Sequence, residues 1–364
     1  MSRGTLIAVA MSGGIDSSVT ALLLKKQGYN VVGLTMELFR SESGLARHPG
    51  RCCSPADLRD ARLVAGWLNI PHYVIGMDEA FRREIIDPFI KEYLAGRTPS
   101  PCILCNSRMK FTRLLNLATQ LGASYLATGH YAIIEEQDSE APLRLLKGLD
   151  QGKDQSYFLF DLRQDQLKKL MFPLGRLTKE KVRELADEFS LPVAAKDESQ
   201  ELCFVEQPGY DCFLDNETLN VPGPGNIVDL EERKLGEHSG IHRYTVGQRR
   251  GLGIAAGEPI YVVEIRARDN VVVVGPVSAL FKDKLMAEDM TWISGVPPQS
   301  GTRVTAKIRS RHQGAEASVR IDTPKKGSIC ITFDTPQKAI TPGQAVVLLS
   351  GEEVLGGGWI RSAL

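Results

Sequence analysis

The sequence carries no excess of charge in either direction: 44 Lys and Arg balance 44 Asp and Glu over 364 residues. Such a chain has no global field to gather nucleic acid, so any contact with a polyanion must come from local basic surfaces. No apolar stretch reaches membrane-spanning length, and the first residues lack a secretory-signal pattern. A cytoplasmic location without membrane contact is expected. Cysteine is scarce and odd in number, seven in all. That does not suit a disulfide framework and points to thiols, catalytic groups or cluster ligands. Internal repeats and low-complexity tracts are missing as well. What remains is the composition of an ordinary globular chain, 43% apolar and 24% charged, long enough for two or three domains with a sizeable core.

The first third alternates strand and helix. Residues 6–10 form a short apolar run, as a buried parallel strand does. Ser12-Gly13-Gly14 follows at once, and a helical pattern opened by Ile15-Asp16-Ser17 runs to Gln27 and stops at Gly28. Strand, glycine turn and helix start make an anion site: the glycines turn backbone N–H groups inward, and the helix N-terminus adds partial positive charge. A Walker A loop would need a lysine after its last glycine. This loop has Asp16 and two serines instead. Further strands are expected at 30–36, 71–76 and 125–130, with helices at 54–68, 79–95 and 109–121 and a polar loop at 39–51. This alternation predicts an α/β, doubly wound parallel sheet with its ligand site beyond the strand C-termini.

Residues 96–106 hold two prolines, a glycine and the pair Cys102 and Cys105, and read as an ordered loop. A helix is expected at 177–189, followed by a charged loop that ends in Cys203. Cys52 and Cys53 read as structural, and Cys212 and Cys330 as buried. The breaker cluster at 221–225 marks a change of character. A hairpin at 259–264 and 270–275 is expected after it, then short strands that suit a small β-barrel. The expected division is 1–204 catalytic, 205–279 a small central α+β or β domain, and 280–364 the barrel. From Arg303 to Arg311, residues Arg303, Thr305, Lys307, Arg309 and Arg311 alternate with Val304, Ala306, Ile308 and Ser310. At period two, one face is basic and suits phosphate contacts. The segment from His242 to Gly251, with Arg243, Arg249 and Arg250, reads as a phosphate-facing loop or a solvated turn.

Ser12-Gly-Gly-Ile-Asp-Ser17 resembles the SGGxDS loop of the PP-loop ATP pyrophosphatase superfamily. Together with Thr98-Pro-x-Pro101, Cys105-Asn106, Lys110-Phe111, Ala127-Thr-Gly-His-Tyr131, Lys153-Asp-Gln155, the segment ending in Cys203-Phe204, and His242 to Gly251, it resembles the tRNA 2-thiouridylase (MnmA) family over nearly the whole chain. The resemblance implies a Rossmann-like catalytic domain and ATP-dependent replacement of O2 by sulfur on the wobble uridine of tRNA. It implies ATP contacts at Ala10, Met11, Ser12, Gly13, Gly14, Ile15, Asp16, Ser17, Met36 and Gly129, with Mg²⁺ near Asp16. The target base is expected at Ser100, Pro101 and Cys102. Contacts to tRNA are expected at His130, Lys153, Asp154, Gln155, Arg311, His312 and Gln344. The resemblance makes Cys203 the persulfide carrier and Cys105 the nucleophile that forms a disulfide with it. Many members carry Asp where this chain has Cys102. That leaves open an iron–sulfur cluster on Cys102, Cys105 and Cys203, or a silent Cys102. The expected partners are tRNA and a sulfur-donor protein of the cysteine desulfurase relay, with the chain a monomer. Two other classes stay open at this point: a PP-loop ligase, which needs no cysteine pair, and a nucleotide-regulated RNA binder, which needs no Asp16, Cys105 and Cys203 together.

Overall fold

The computed structural model describes residues 4–38, 55–138, 140–197, 202–205, 209–218, 220–255, 257–321 and 327–364. The expected loop at 39–51 and the pair Cys52 and Cys53 lie outside them. The N-terminal sheet contains β1 (Leu6–Ala10), β2 (Asn30–Glu37), β3 (His72–Gly76), β4 (Tyr125–Ala127) and β7 (Leu170–Met171). All of its pairings are parallel, in the order β3-β2-β1-β4-β7. The pleat of β1 sorts its side chains between two cores. Ile7 and Val9 join α1 (Ile15–Lys26), α2 (Pro55–Trp67) and α6 (Lys179–Glu188) on one face. Ala8 faces the other core, built on α3 (residues 78–94) and α4 (residues 101–120). α3 runs through the consecutive segments Asp78–Phe81, Arg82–Ile86 and Asp87–Leu94. β1 lies between β2 and β4, where the chain order reverses, so the loop after β1 opens at the switch point of the sheet.

α4 corrects one expectation. It begins at Pro101, not near Met109, and runs through Pro101–Leu104, a wider-wound π segment Cys105–Leu114, and Leu115–Gln120. Proline at the first helical position costs no backbone hydrogen bond and presets φ. The prolines at 99 and 101 therefore start a helix as readily as they mark a loop. Cys102 and Cys105 thus stand in the opening turns of a helix.

The hairpin β5 (Ala132–Glu135) and β6 (Arg144–Lys147) continues from the catalytic sheet. A short α5 (Gln164–Leu167) precedes β7. α7 (Tyr210–Glu217) then leads to a small sheet of β8 (Gly225–Val228), β9 (Lys234–His238), β10 (Tyr261–Arg266) and β11 (Val271–Gly275), in the order β10-β11-β8-β9. Its β10–β11 pair is the expected hairpin, antiparallel from Tyr261 opposite Gly275 to Arg266 opposite Val271.

The C-terminal strands are β12 (Phe281–Trp292), β13 (Arg303–Lys307), β14 (Ala315–Arg320), β15 (Ile329–Lys338), β16 (Ala345–Ser350) and β17 (Glu353–Ala363). They close into a barrel through β12 and β17. β6 pairs with β17, Leu146 opposite Glu353 and Leu145 opposite Val354, so the hairpin from the catalytic half extends the barrel sheet. The Tyr157 hydroxyl, fully buried, donates to the Ala345 carbonyl at 2.9 Å across the same junction. On β13, Val304 and Ala306 point into the barrel core, followed by Ile308 beyond the strand end. The period-two reading holds over the strand itself, which ends at Lys307 rather than Arg311. Cys212 and Cys330, expected to be buried, are half-buried. Among the described residues, no helix is long and apolar enough to cross a membrane.

Candidate active site

Gly14 caps α1 with no side-chain hydrogen bond, which leaves the first-turn N–H groups of α1 open to an anion. Gly13 has φ +73°, and a Cβ there would lie 2.2 Å from the Asp57 carbonyl oxygen, so only glycine fits. The loop closes on itself: Ser17 Oγ donates to the Gly14 carbonyl at 3.1 Å and accepts from Ser12 N–H at 3.2 Å. Gly129, at the end of the β4 turn, lies against the start of α1. A Cβ there would come within 2.8 Å of the Asp16 carbonyl carbon.

These elements line a cleft of about 320 Å³, at the lower end of the range of about 300–1,000 Å³ for ligand pockets. Ala10, Met11, Ser12, Gly14, Ile15, Asp16, Ser17, Met36 and Gly129 all line it. Gly13 supports the loop from behind. The cleft also brings in residues that the motif reading did not single out as ligands: Lys110, Tyr131, Lys179 and Lys196. Lys179 Nζ sits 2.7 and 2.9 Å from the two Asp16 carboxylate oxygens, and the Tyr131 hydroxyl donates to Asp16 Oδ1 at 2.8 Å. Lys196 Nζ donates to the Gly13 carbonyl at 3.0 Å, to Asp57 at 2.6 Å and to Asp60 at 2.5 Å. Burial works against the Lys196 charge, but the two aspartates outweigh it and hold its pKa above the ordinary value. One signal for Lys179 was present in the sequence. It occupies the first turn of α6, capped by Thr178, where the helix dipole disfavours a cation. A lysine in that place wants a local anion.

Mg²⁺ on a bound polyphosphate fits this donor set. The Asp16 and Asp197 carboxylates both line the cleft, and such an ion takes one or two carboxylates with phosphate oxygens. The iron–sulfur expectation fares differently. Among the described residues, no group of three or more His, Cys, Asp or Glu side chains is placed to hold a metal ion. Cys102 is exposed, whereas Cys105 and Cys203 are half-buried against one core.

Cys105 and Cys203 are nonetheless brought to the same helix. The start of α4 packs on the Arg82–Ile86 segment of α3. Phe204, next to Cys203, sits edge-on to Phe81 and Phe89 of α3, with ring centroids 5.8 and 5.0 Å away. Edge-on aromatic pairs add stabilisation beyond area burial, so this cluster anchors the cysteine segment. α4 also links the thiols to the cleft: Lys110 lines the cleft and donates at 2.8 Å to Oδ1 of Asn106, the residue after Cys105.

The residues expected at tRNA divide. Lys153 and Gln155 line the cleft. Gln155 also accepts from the Tyr131 N–H at 3.0 Å. The Asp154 carboxylate is taken up by its own loop, accepting from Gly148 N–H, Ser156 N–H and Ser156 Oγ at 3.0–3.1 Å. His130 is buried between the rings of Phe111 and Phe172, with Nδ1 2.7 Å from Thr128 Oγ1. Burial, with the Lys110 charge adding, pushes its pKa well below the ordinary value. It faces the cleft rather than an open surface. Arg311 is exposed, while His312 is half-buried and bonded to Gln337 at 3.1 Å. Arg303 pairs with Asp334, Arg309 donates to the Lys338 carbonyl at 3.2 Å, and among the described residues Lys307, Arg309 and Arg311 carry no ion pair with a carboxylate. Arg243 pairs with Asp211 and Asp215, and His242 bonds to Asp215 at 3.0 Å. That segment docks α7, while Arg249 and Arg250 stay exposed. The Gln344 amide faces inward, as described below.

Three domain families match in sequence order: a "tRNA methyl transferase HUP domain" over residues 5–207, a "tRNA methyl transferase PRC-barrel domain" over 212–276, and an "Aminomethyltransferase beta-barrel domain" over 282–360. Among curated relatives, the tRNA-specific 2-thiouridylase MnmA of Solibacter usitatus is 47% identical, covering 98% of this chain and 99% of its own length. The protein of the same name from Geobacter metallireducens is 48% identical, covering 98% and 97%. With full-length identity at this level and the SGGxDS loop built into a nucleotide-sized cleft, the chain belongs to the tRNA-specific 2-thiouridylase MnmA family.

Proposed function

We propose that this chain carries out the ATP-dependent 2-thiolation of tRNA, acting on the wobble uridine, with Cys203 as sulfur carrier and Cys105 as its partner. The observation that carries the reading is the joining of two chemistries by one helix: α4 starts with the cysteines and reaches the nucleotide cleft at Lys110 and Leu114. A uracil carbonyl oxygen is a poor leaving group, and AMP on that oxygen makes it a good one. The α1 N-terminus and Lys179 hold the polyphosphate so that O2 can attack the α-phosphorus. The O–P bond forms, and the bond to the β-phosphate breaks with its electron pair on pyrophosphate. Electrostatic stabilisation of that departing charge is the largest lever available to such a site. Mg²⁺, held by Asp16 and Asp197, would add charge neutralisation on the phosphates.

Sulfur transfer then falls to the thiols. The terminal sulfur of a Cys203 persulfide attacks C2, and AMP leaves with the C–O pair. The Cys105 thiolate attacks Cys203 Sγ. The S–S bond to the transferred sulfur breaks, its pair stays on that sulfur as the thiocarbonyl forms, and a Cys105–Cys203 disulfide remains. A dithiol reductant and a persulfide donor of the cysteine desulfurase relay are required to reset the site. Ser100, Pro101 and Cys102 hold the base, and Lys153, Arg309 and Arg311 hold phosphates. The chain acts as a monomer in the cytoplasm.

The test is single-turnover thiolation with iron-free protein loaded with persulfide. Cys203→Ser is expected to abolish 2-thiouridine. Cys105→Ser is expected to trap the base on Cys203 as a mixed persulfide adduct. Full thiolation by Cys203→Ser, or activity that tracks iron content, would overturn the assignment.

A further inference from the structure

Thr98 lies where three parts of the molecule meet. Its N–H donates to the Pro342 carbonyl at 2.9 Å, and its carbonyl accepts from the Gln344 side-chain amide at 2.9 Å. The same amide reaches the Pro99 carbonyl at 3.3 Å. The Thr98 hydroxyl meets Thr245 Oγ1 of the central segment at 3.5 Å. Both backbone polar groups of Thr98 are thus held by the turn before β16, and its side chain by the central domain. The turn is rigid in its own right: Gly343 N–H donates to the Ile360 carbonyl at 2.9 Å, and Ile360 N–H to the Gln344 carbonyl at 2.8 Å. The fit is close, since a Cβ on Gly343 would lie 2.9 Å from Thr98 N. On the other side, a Cβ on Gly96 would lie 2.8 Å from Ile265 Cγ2.

Between this clamp and α4, which opens at Pro101, stand only Pro99 and Ser100. Pro99 and Pro101, on either side of Ser100, have φ fixed by their rings. The clamp therefore sets where the helix start lies, and with it Cys102 and Cys105. We infer that Gln344 is a positioning residue, which fixes the base-facing turn and the α4 thiols from the barrel. The inference rests on the reading that residues 100–105 present the base and the nucleophile. It makes the register of that turn depend on the barrel, the domain that carries the basic face. Binding to the barrel and chemistry at α4 are then set by one rigid joint.

The experiment compares Gln344→Ala and Gln344→Glu with the unmodified full-length protein. The second variant keeps the reach but loses both donors. The readouts are the dissociation constant for a tRNA transcript at fixed salt and the single-turnover thiolation rate at saturating tRNA. A displacement near 1 Å costs up to about 100-fold in rate. The expected result is a rate loss of about tenfold or more in both variants, with tRNA affinity changed less than about twofold. Weakened tRNA binding with an unchanged rate at saturation would make Gln344 an RNA contact and overturn the inference. No change in either would overturn it as well. Hydrogen exchange of the 97–104 backbone reads the clamp without chemistry. Faster exchange there in Gln344→Ala, with the barrel strands unaltered, supports the inference; unaltered exchange refutes it. If Cys105→Ser retains full thiolation while the Gln344 variants still loosen 97–104, the clamp stands and the thiol assignment falls.

Discussion

Gly129→Ala offers a sharp test of the phosphate cradle. Its Cβ would lie 2.8 Å from the Asp16 carbonyl carbon, 2.9 Å from Asp16 Cβ and 3.0 Å from Ser17 N. Ordinary contacts of this kind lie near 3.5–4.0 Å, so about 0.5–1 Å must open between the β4 turn and α1. All three atoms belong to the first turn of α1 and two are backbone, so no flexible side chain can give way. Overpacking of this kind costs about 1–3 kcal/mol, offset by about 0.4–1 kcal/mol from the loss of glycine freedom in the unfolded chain. The net destabilisation is small, but the moved atoms are the anion site itself. A shift near 1 Å there is expected to lower kcat/KM for ATP by about 10–100-fold. The assay is tRNA-dependent pyrophosphate release, run beside urea denaturation. Gly66→Ala, in α2 with nothing within 4 Å of the added Cβ, is the control and should leave the kinetics alone. A folded Gly129→Ala protein with kcat/KM for ATP within about twofold of the parent would refute the cradle, since the cradle requires the displacement.

Three more outcomes follow from the same geometry. Lys179→Met leaves Asp16 without its cation in the cleft and should cut pyrophosphate release at least about tenfold, while tRNA affinity stays constant; undiminished release would remove Lys179 from the phosphate site. Arg309→Ala combined with Arg311→Ala should weaken tRNA binding and flatten its dependence on salt, with a slope change near two; an unaltered slope would leave the β13 end a solvated face. His130 titrates below its unfolded value of 6.5, so the folded state binds its proton less readily than the unfolded chain. Its contribution to stability is full above that value and is lost as pH falls through it, by up to about 1.4 kcal/mol per pH unit. Urea midpoints should therefore fall between pH 7.5 and pH 5 less steeply in His130→Gln than in the parent, and parallel curves would contradict the burial argument.

The strand, glycine turn and helix start that line the cleft were legible because their signals are local. An apolar run, two glycines and a helix start within thirteen residues specify strand, turn and dipole without any knowledge of the rest of the chain. The barrel was legible for a similar reason, since alternation on β13 needs only its own residues. Lys179 and Lys196 were not legible as neighbours of the loop: a lysine in the first turn of α6 asks for an anion without naming Asp16, and both reach the loop across more than 160 residues. The helix at Pro101 was misread because proline marks both a loop and a helix start. The neighbourhood decides between them, and here that neighbourhood is α3. The contacts of Gln344 with the Thr98 and Pro99 carbonyls were opaque from sequence, where the family resemblance implies a tRNA contact, because a pairing across 245 residues exists only in the fold.

The central claim is that this cleft activates a tRNA uridine with ATP so that the chain's own thiols can deliver sulfur to it. The direct measurement is the ratio of pyrophosphate released to 2-thiouridine formed, on an unmodified tRNA transcript with persulfide-loaded protein. One pyrophosphate per 2-thiouridine is expected, with neither product in Asp16→Ala and pyrophosphate alone in Cys203→Ser. Thiolation without ATP, or in Cys203→Ser, would contradict it.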